Sequence, residues 1–316
     1  MSRIHRPAVG LRTIIVAVPS SERANRPGLM ADAAGKVVGT IDAFPTVRLE
    51  LESRPECVTL VRSVLSGLGA YLGLDPEPLD DIKTAVSEAC NNAVVHAYSG
   101  EDPGPLSVGV EITPAAVEVI VRDQGSGIQR LAVADDHMGV GLAVISALAS
   151  RAEFESSPDQ GTEVRMSFTG AGVRDALARR SGQGAAGTRP TPLLAGDIVA
   201  WISPPDLLGM VMGRIVRTAA ASAGFTVDRV AVLQQRTNAI GERATQPAAD
   251  GEIGVAIIGT RRRVELRVGP LPALSTEQLF EGAEAPPDLA PLLEQLYATP
   301  LTAGESLTAV LVEPRR

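Results

Sequence analysis

From Thr46 onward, the spacing of apolar residues changes from the period of a strand to that of a helix. Val47, Leu49 and Leu51 alternate with charged residues, which predicts a half-buried β-strand. The segment after Ser53 carries apolar residues every three or four positions, which predicts a helix. A second helix is predicted to begin at Asp75 and to run through the stretch DDIKTAVSEACNNAVVHAY.

Strand periodicity returns in the next segment of the chain. Strands are predicted at 106–112 and 117–121, followed by a loop with glycines and a short helix from Gly141 to about Ser150. Two more strands are predicted near 153–156 and 162–168. The order β-α-α-β-β-α-β-β indicates an α+β sandwich, in which one layer of helices covers one mixed or antiparallel sheet.

The second half of the chain repeats this pattern without gaps. Residues 228–244 align with 81–97, and the segment from Gly251 aligns with that from Gly104, both at an offset of 147. The segment from Ser203 aligns with that from Ser53 at an offset of 150. The repeat predicts two tandem copies of one fold, although amphipathic helices and strands resemble one another in any case. The predicted divisions are a mobile extension (1–43), a first domain (44–170), a linker (171–192) and a second domain (193–316).

Composition excludes several classes of protein. The 316 residues carry a formal net charge of -8, which argues against a free-standing nucleic-acid binder. Two cysteines, Cys57 and Cys90, cannot build a disulfide framework, so a reducing cytoplasm is expected. The apolar run from Ile14 to Val18 is too short to span a bilayer, and no signal-peptide cleavage site follows it. The sequence contains no P-loop motif and no zinc-ligand spacing.

The second predicted helix carries the first candidate for chemistry. Glu88 and Asn92 are one helical turn apart, so their Cβ atoms lie about 6 Å from each other on one face. A carboxylate and an amide oxygen on that face could serve a magnesium ion and a polarised nucleophile, because magnesium prefers hard oxygen ligands. Such a pair alone is also typical of a solvated helix face.

Two glycine-containing motifs follow. Asp123 ends a predicted strand, and Gly125 and Gly127 come directly after it. Such glycines let a planar ring approach the backbone, and the carboxylate could accept a hydrogen bond from an exocyclic amine such as that of adenine. A tight hairpin turn is the alternative interpretation.

Gly139 and Gly141 precede the short predicted helix, where backbone amides can bind an anion such as phosphate. Thr162 opens a predicted strand after Gly161 and carries little information by itself.

In this order, the four elements resemble the Bergerat ATP site of the GHKL superfamily, which includes gyrase, heat-shock chaperone, histidine kinase and MutL types. The stretch AVSEACNNAVVHAY is most similar to the anti-sigma factors that act as serine kinases. The resemblance covers residues 44–170 and implies a helix-layer-on-sheet fold that binds ATP and magnesium. It implies the following roles: Glu88 as general base, Asn92 as magnesium ligand, Asp123 as adenine reader, Gly125 and Gly127 as pocket formers, Gly139 and Gly141 as phosphate contacts, and Thr162 as support for the adenine end.

The implied reaction is phosphoryl transfer from Mg-ATP to a serine of a protein partner. The resemblance implies a STAS-domain anti-anti-sigma factor as substrate and a sigma factor as the second ligand. Residues 44–170 contain 8 basic and 19 acidic side chains, which could steer a basic partner or simply keep the protein soluble. The alternative function is an ATP-gated binding clamp that sequesters a regulator without phosphorylating it.

The second copy departs from the motifs wherever they align. Gln235 replaces Glu88, Ala239 replaces Asn92, and the run from Gly269 to Pro272 replaces the residues around Asp123. No G-x-G opens the helix expected near Leu292. We therefore expect this half to be inactive in phosphoryl transfer. Three roles fit this half: a degenerate nucleotide pocket, a platform for a partner, or a pseudo-dimer mate within the chain. The protein is expected to be either such a pseudo-dimer or a homodimer.

Overall fold

A computed structural model describes nine segments of the chain, 46–98, 102–113, 115–127, 136–157, 161–180, 194–245, 252–271, 290–301 and 304–313. The first half contains five strands and four helices. The strands are Thr46–Glu52 (β1), Pro105–Ile112 (β2), Val117–Asp123 (β3), Arg151–Ser157 (β4) and Gly161–Phe168 (β5). The helices are Pro55–Leu72 (α1), Pro76–Asn92 (α2), Asp136–Leu148 (α3) and Ala171–Arg180 (α4), and a π-helical turn, Ala93–Ala97, extends α2.

The second half contains five more strands and two long helices. The strands are Ile198–Ser203 (β6), Ile253–Thr260 (β7), Arg263–Leu271 (β8), Leu293–Leu301 (β9) and Gly304–Val312 (β10). The helices are Leu208–Ser222 (α5) and Val227–Thr245 (α6), with short 3-10 turns at Pro205–Leu207 and Ala290–Leu292.

All ten strands form one antiparallel sheet that runs through both halves. Its order is β4-β5-β3-β2-β1-β6-β7-β8-β10-β9. At the centre, β1 pairs with β6 from Thr46 opposite Ser203 to Leu51 opposite Ile198. From this seam, the strands follow the same order outward in both directions, with β1, β2, β3, β5 and β4 matched by β6, β7, β8, β10 and β9.

The helices cover one face of this sheet, because the apolar residues of the strands and helices share one core. The alternation in β1 buries Val47, Leu49 and Leu51 under α1 and leaves the charged residues on the other face. This confirms the predicted α+β class with helices layered on a sheet.

Side chains and backbone join the two halves at the seam. The Tyr71 hydroxyl of α1 donates a hydrogen bond to Asp206 at 2.8 Å, and the guanidinium of Arg48 lies 4.5 Å from the ring centre of Trp201. Gly67 lets α1 approach α5 closely, since a Cβ atom there would lie 2.6 Å from the carbonyl oxygen of Met210.

Three local predictions differ from the structure. Residues 171–180 of the predicted linker form α4, whose buried residues Val173, Ala176 and Leu177 recur at helical spacing. The helix expected near Leu292 is a 3-10 turn that leads into β9, which pairs along β10. The predicted helix at Gly141 begins five residues earlier, at Asp136. The extension (1–43) and the rest of the linker lie outside the described residues.

Candidate active site

Glu88 and Asn92 lie on the face of α2 that meets α3, and both are half-buried. The opposing residue is Gly141, where a Cβ atom would lie 3.3 Å from Glu88 Oε2 and 3.3 Å from Asn92 Oδ1. Because Gly141 has no side chain, its backbone lies directly against the Glu88 carboxylate and the Asn92 amide. This arrangement lets α3 approach α2 closely at the two polar groups.

Asp123 is held in one orientation at the end of β3. Its carboxylate is 9% exposed, and Oδ1 accepts hydrogen bonds from the N–H groups of Gly125 at 2.9 Å and Thr162 at 3.1 Å. Both hydrogen bonds from the described residues thus go to the same oxygen, which fixes the carboxylate before any ligand arrives.

The glycines around Asp123 are required by close backbone contacts. A Cβ atom on Gly125 would overlap the carbonyl oxygen of Ala97, and Gly127 has φ +74° beside Ser157. Gly161, with φ +83°, lies against the carbonyl oxygen of Asp123. The hairpin interpretation of this loop is wrong, because β3 pairs with β2 and β5 and not with the next strand in sequence.

A pocket opens between the end of α2, the end of β3 and the start of β5. Its walls combine apolar side chains with a few polar groups, as is typical of a small-molecule site. It is lined by Ala89, Asn92, His96, Ala97, Val121, Asp123, Gly127, Leu142, Thr162 and Val164.

The structure brings the sequence-predicted residues together, with one correction. Asn92, Asp123, Gly127 and Thr162 line the pocket, and the N–H of Gly125 donates to Asp123. Glu88 and Gly141 are outside this lining and lie next to each other and to Asn92. Gly139 and Gly141 do not precede their helix; they lie inside α3, which already begins at Asp136. The role of Gly141 is therefore to let α3 pack closely against α2, and not to end a loop before the helix.

Sequence reasoning missed the apolar walls of the pocket. Val121 lies two residues before Asp123, and Val164 lies two residues after Thr162, so each pair shares one face of its strand. This period of two was a usable signal for the walls. His96 also lines the pocket and is half-buried.

The cysteine beside these residues has no catalytic chemistry. Cys90 is fully buried on α2, and burial raises the pKa of its thiol far above the usual value. Cys57 on α1 is also buried, and its thiol pKa rises to about 12 for the same reason. Both thiols stay protonated at neutral pH and act as small core residues.

Metal binding at this site would depend on few protein ligands. The described residues contain no cluster of three or more histidine, cysteine, aspartate or glutamate side chains suited to a metal ion. Asn92 presents one amide oxygen, so a magnesium ion beside it would need oxygens from phosphate and water. Asn92 lines the pocket, so the pocket side of this residue is where such a shared site would lie.

The family model for the histidine kinase-like ATPase domain matches residues 51–168 of this chain. This part of the chain is therefore similar to histidine kinase-like ATPase domains. The matched segment contains Glu88, Asn92, Asp123 and every glycine of the pocket.

Curated relatives share part of this segment. The chain is 43% identical over 79 residues to the serine-protein kinase RsbW of Bacillus velezensis, covering 25% of this chain and 49% of the relative. It is 36% identical over 95 residues to the same-named protein of Bacillus licheniformis, covering 30% of this chain and 58% of the relative. The chain thus spans about half the length of the curated relatives it matches.

A solved structure also aligns with this chain. It is the histidine kinase domain of the blue-light activated histidine kinase from Erythrobacter litoralis EL346. The alignment covers 32% of this chain and 49% of that chain, at 21% sequence identity and a TM-score of 0.27. Separately, no helix among the described residues is long and apolar enough to cross a membrane.

The second half lacks these polar groups at the matching positions. The buried positions of α6 correspond to those of α2 at an offset of 148, which is one residue more than the offset of the sequence repeat. The corresponding pairs are Ile82 and Val230, Ala85 and Leu233, Ala89 and Thr237, and Ala93 and Gly241. This register puts Arg236 opposite Glu88 and Ile240 opposite Asn92, instead of Gln235 and Ala239. The register of the buried positions supplies no carboxylate and no amide at these two positions, and the sequence register supplies only the amide of Gln235, at the position of Glu88.

Proposed function

We propose that this protein is a Mg-ATP-dependent protein serine kinase that acts as a cytoplasmic anti-sigma factor. The observation that carries the proposal is the position of Gly141, whose backbone lies against both Glu88 and Asn92 beside a pocket that contains the fixed carboxylate of Asp123. The similarity to serine-protein kinases over the same residues supports it.

The residues of the pocket fit a nucleotide and a magnesium ion. We infer that Asp123 and Thr162 bind the adenine end, because the carboxylate is oriented and the apolar residues Val121 and Val164 flank it. Asn92 would hold the magnesium ion, and the backbone around Gly139 and Gly141 would contact the phosphates. When bound, Mg-ATP supplies the phosphoryl group that is transferred.

Glu88 would accept the proton of the attacking serine hydroxyl. It is half-buried on the same helical face as Asn92, so the hydroxyl oxygen and the metal-bound phosphate would meet between them. The serine oxygen gains the phosphoryl group, Glu88 takes the proton, and ADP leaves. The main tasks of the protein are to position the reactants and to exclude water.

The proposed partners are proteins. A STAS-domain anti-anti-sigma factor would provide the serine, and a sigma factor would be the ligand that is held and released. The 19 acidic and 8 basic side chains of residues 44–170 support the attraction of a basic partner. We propose no direct contact with nucleic acid or membrane.

We further propose that the second half is a degenerate copy of the first and its mate in a pseudo-dimer. The matched outward order of the strands and the antiparallel pairing of β1 with β6 support this interpretation. In that role, β6 and α5 occupy the edge of β1 and the side of α1 where a second subunit would otherwise bind. A single chain in solution by light scattering is the expected result, and a stable homodimer would contradict it.

The test of the kinase is phosphoryl transfer from γ-labelled ATP in native lysate, with wild type compared with Glu88→Gln. We expect label on a serine of a small STAS-domain protein, reduced at least a hundredfold in the variant because glutamine cannot take the proton. Glu56→Gln, which makes the same change at an exposed position on α1, is the control and should label normally. If ATP binds and no protein is labelled, the kinase proposal is wrong and the ATP-gated clamp replaces it.

A further inference from the structure

Tyr98 joins three segments around the loop that follows Asp123. Its hydroxyl donates a hydrogen bond to the carbonyl oxygen of Pro105 and accepts one from the N–H of Gln124 at 2.9 Å. Its ring packs against Gly104, where a Cβ atom would overlap the ring. Tyr98 directly follows the π-helical turn, so its hydroxyl group connects the end of this turn to the start of β2 and to the loop after β3.

The preceding residue holds the same loop from its other side. The carbonyl oxygen of Ala97 accepts a hydrogen bond from the N–H of Ser126 at 2.9 Å and touches Gly125. Ala97 ends the π-helical turn, a rare backbone form that often occurs at functional sites. We call Ala97, Tyr98 and their hydrogen bonds to Gln124 and Ser126 the loop brace.

The loop brace fixes both neighbours of Gly125, and the N–H of Gly125 is one of the two donors to Asp123 Oδ1. Movement of Gln124 or Ser126 would therefore move a donor that orients the carboxylate. Burial raises the pKa of Tyr98, so its hydroxyl remains a donor at neutral pH. This residue has no contact with Glu88 or Asn92 among the hydrogen bonds of the described residues.

We propose that Tyr98 is a positioning residue for adenine recognition, which holds the loop that orients Asp123. This inference rests on the proposed binding of ATP in the pocket. It predicts that loss of the hydroxyl weakens recognition of the base while the phosphate side of the site is preserved.

The experiment compares Tyr98→Phe with wild type by calorimetry, using Mg-ATP and Mg-inosine triphosphate, which lacks the exocyclic amine. We expect the Kd for ATP to rise about tenfold and the Kd for inosine triphosphate to stay within twofold, so that the preference for ATP falls by about the same tenfold. Tyr71→Phe also removes a hydroxyl that donates a hydrogen bond, but at the seam with Asp206, and should leave both Kd values within twofold.

A merely structural role for Tyr98 would lower the melting temperature and weaken both nucleotides equally. That result, or a Kd for ATP within twofold of wild type, would overturn the inference. If Tyr98→Phe does not fold, Gly104→Ala displaces the ring from the other side and should show the same selective loss for ATP.

The outcomes separate the two proposals. Wild type that binds ATP but transfers no phosphate contradicts the kinase and leaves the role of Tyr98 intact, whereas wild type that binds no ATP overturns both. Selective loss in Tyr98→Phe supports the positioning role whatever the acceptor of the phosphate.

Discussion

The two halves of this molecule share one strand order and one sheet but differ at the positions that we propose as the ATP site. In the first half, α2 presents Glu88 and Asn92 to Gly141 on α3, and Asp123 lies at the end of β3. In the second half, the matching positions of α6 hold Arg236 and Ile240. The matching strand β8 does not end at an aspartate as β3 does, but ends at Leu271. The fold therefore needs only the buried positions, which both halves keep.

The outer face of the sheet shows a second difference. In the first half it carries charged residues such as Arg48, Glu118 and Arg122, which alternate with the core. In the second half Val199, Trp201 and Ala256 form a small buried apolar cluster on that face. The second half therefore has additional apolar packing on its outer face, which would suit the supporting role that we propose for it.

The largest effect on Mg-ATP binding should come from adding a side chain at Gly141. In Gly141→Leu, the new side chain would displace Glu88 and Asn92, because even a Cβ atom would lie only 3.3 Å from Glu88 Oε2 and Asn92 Oδ1. We expect at least a hundredfold rise in the Kd for Mg-ATP by calorimetry, with an intermediate loss in Gly141→Ala.

The control for this change is Gly109→Leu on β2, where a Cβ atom meets nothing within 4 Å.

Wild type should bind one Mg-ATP per chain, because only the first half has the polar groups. Two sites per chain would show that the second half still binds nucleotide, and the contrast between the halves would fail.

Much of this contrast was open to prediction from sequence. The alternation in β1, β2 and β3 is a local signal, and it predicted these three strands correctly. The spacing that puts Glu88 and Asn92 on one face of α2 is a local signal as well. The periodicity of Val173, Ala176 and Leu177 was also present, but the glycine- and arginine-rich composition around it favoured a linker.

Contacts between distant segments could not be predicted in this way. Gly125 meets Ala97, Tyr98 meets Gln124 and Gly141 meets Asn92, and each pair becomes adjacent only when the sheet and helices are assembled. The start of α3 is a related case. Gly141 suggested a loop before the helix, but it is tolerated inside the helix because it allows close contact with α2.

A smaller effect is expected at the seam that joins the halves. Tyr71→Phe removes the hydrogen bond to Asp206 at 2.8 Å and should lower the free energy of unfolding by about 1 kcal/mol. Urea unfolding followed by the emission of Trp201, the single tryptophan, measures this effect next to the seam. Tyr297→Phe, at a 45% exposed position on β9, is the control and should change stability by only a few tenths of a kcal/mol. Equal stability of wild type and Tyr71→Phe would mean that the Tyr71–Asp206 contact adds nothing to the seam.

The smallest effect concerns Glu50, which β1 places beside Val199 of the second half. Burial raises the pKa of Glu50 above its usual value of 4.5, although the hydrogen bond from Ser107 and the charges of Arg48 and Arg122 act in the opposite direction. The stability due to the protonated carboxyl is fully present below the unfolded pKa and is lost as the pH rises through the folded pKa.

Glu50→Gln imitates the protonated form at every pH. We therefore expect the variant to match wild type near pH 4 and to be more stable by a few tenths of a kcal/mol at pH 7, measured by urea unfolding at both pH values. Glu56→Gln, at an exposed position, should show no such difference between the two pH values. A variant that is less stable than wild type at pH 7 would contradict this prediction. It would show that the attraction of Arg48 and Arg122 for the Glu50 carboxylate outweighs the cost of burying its charge.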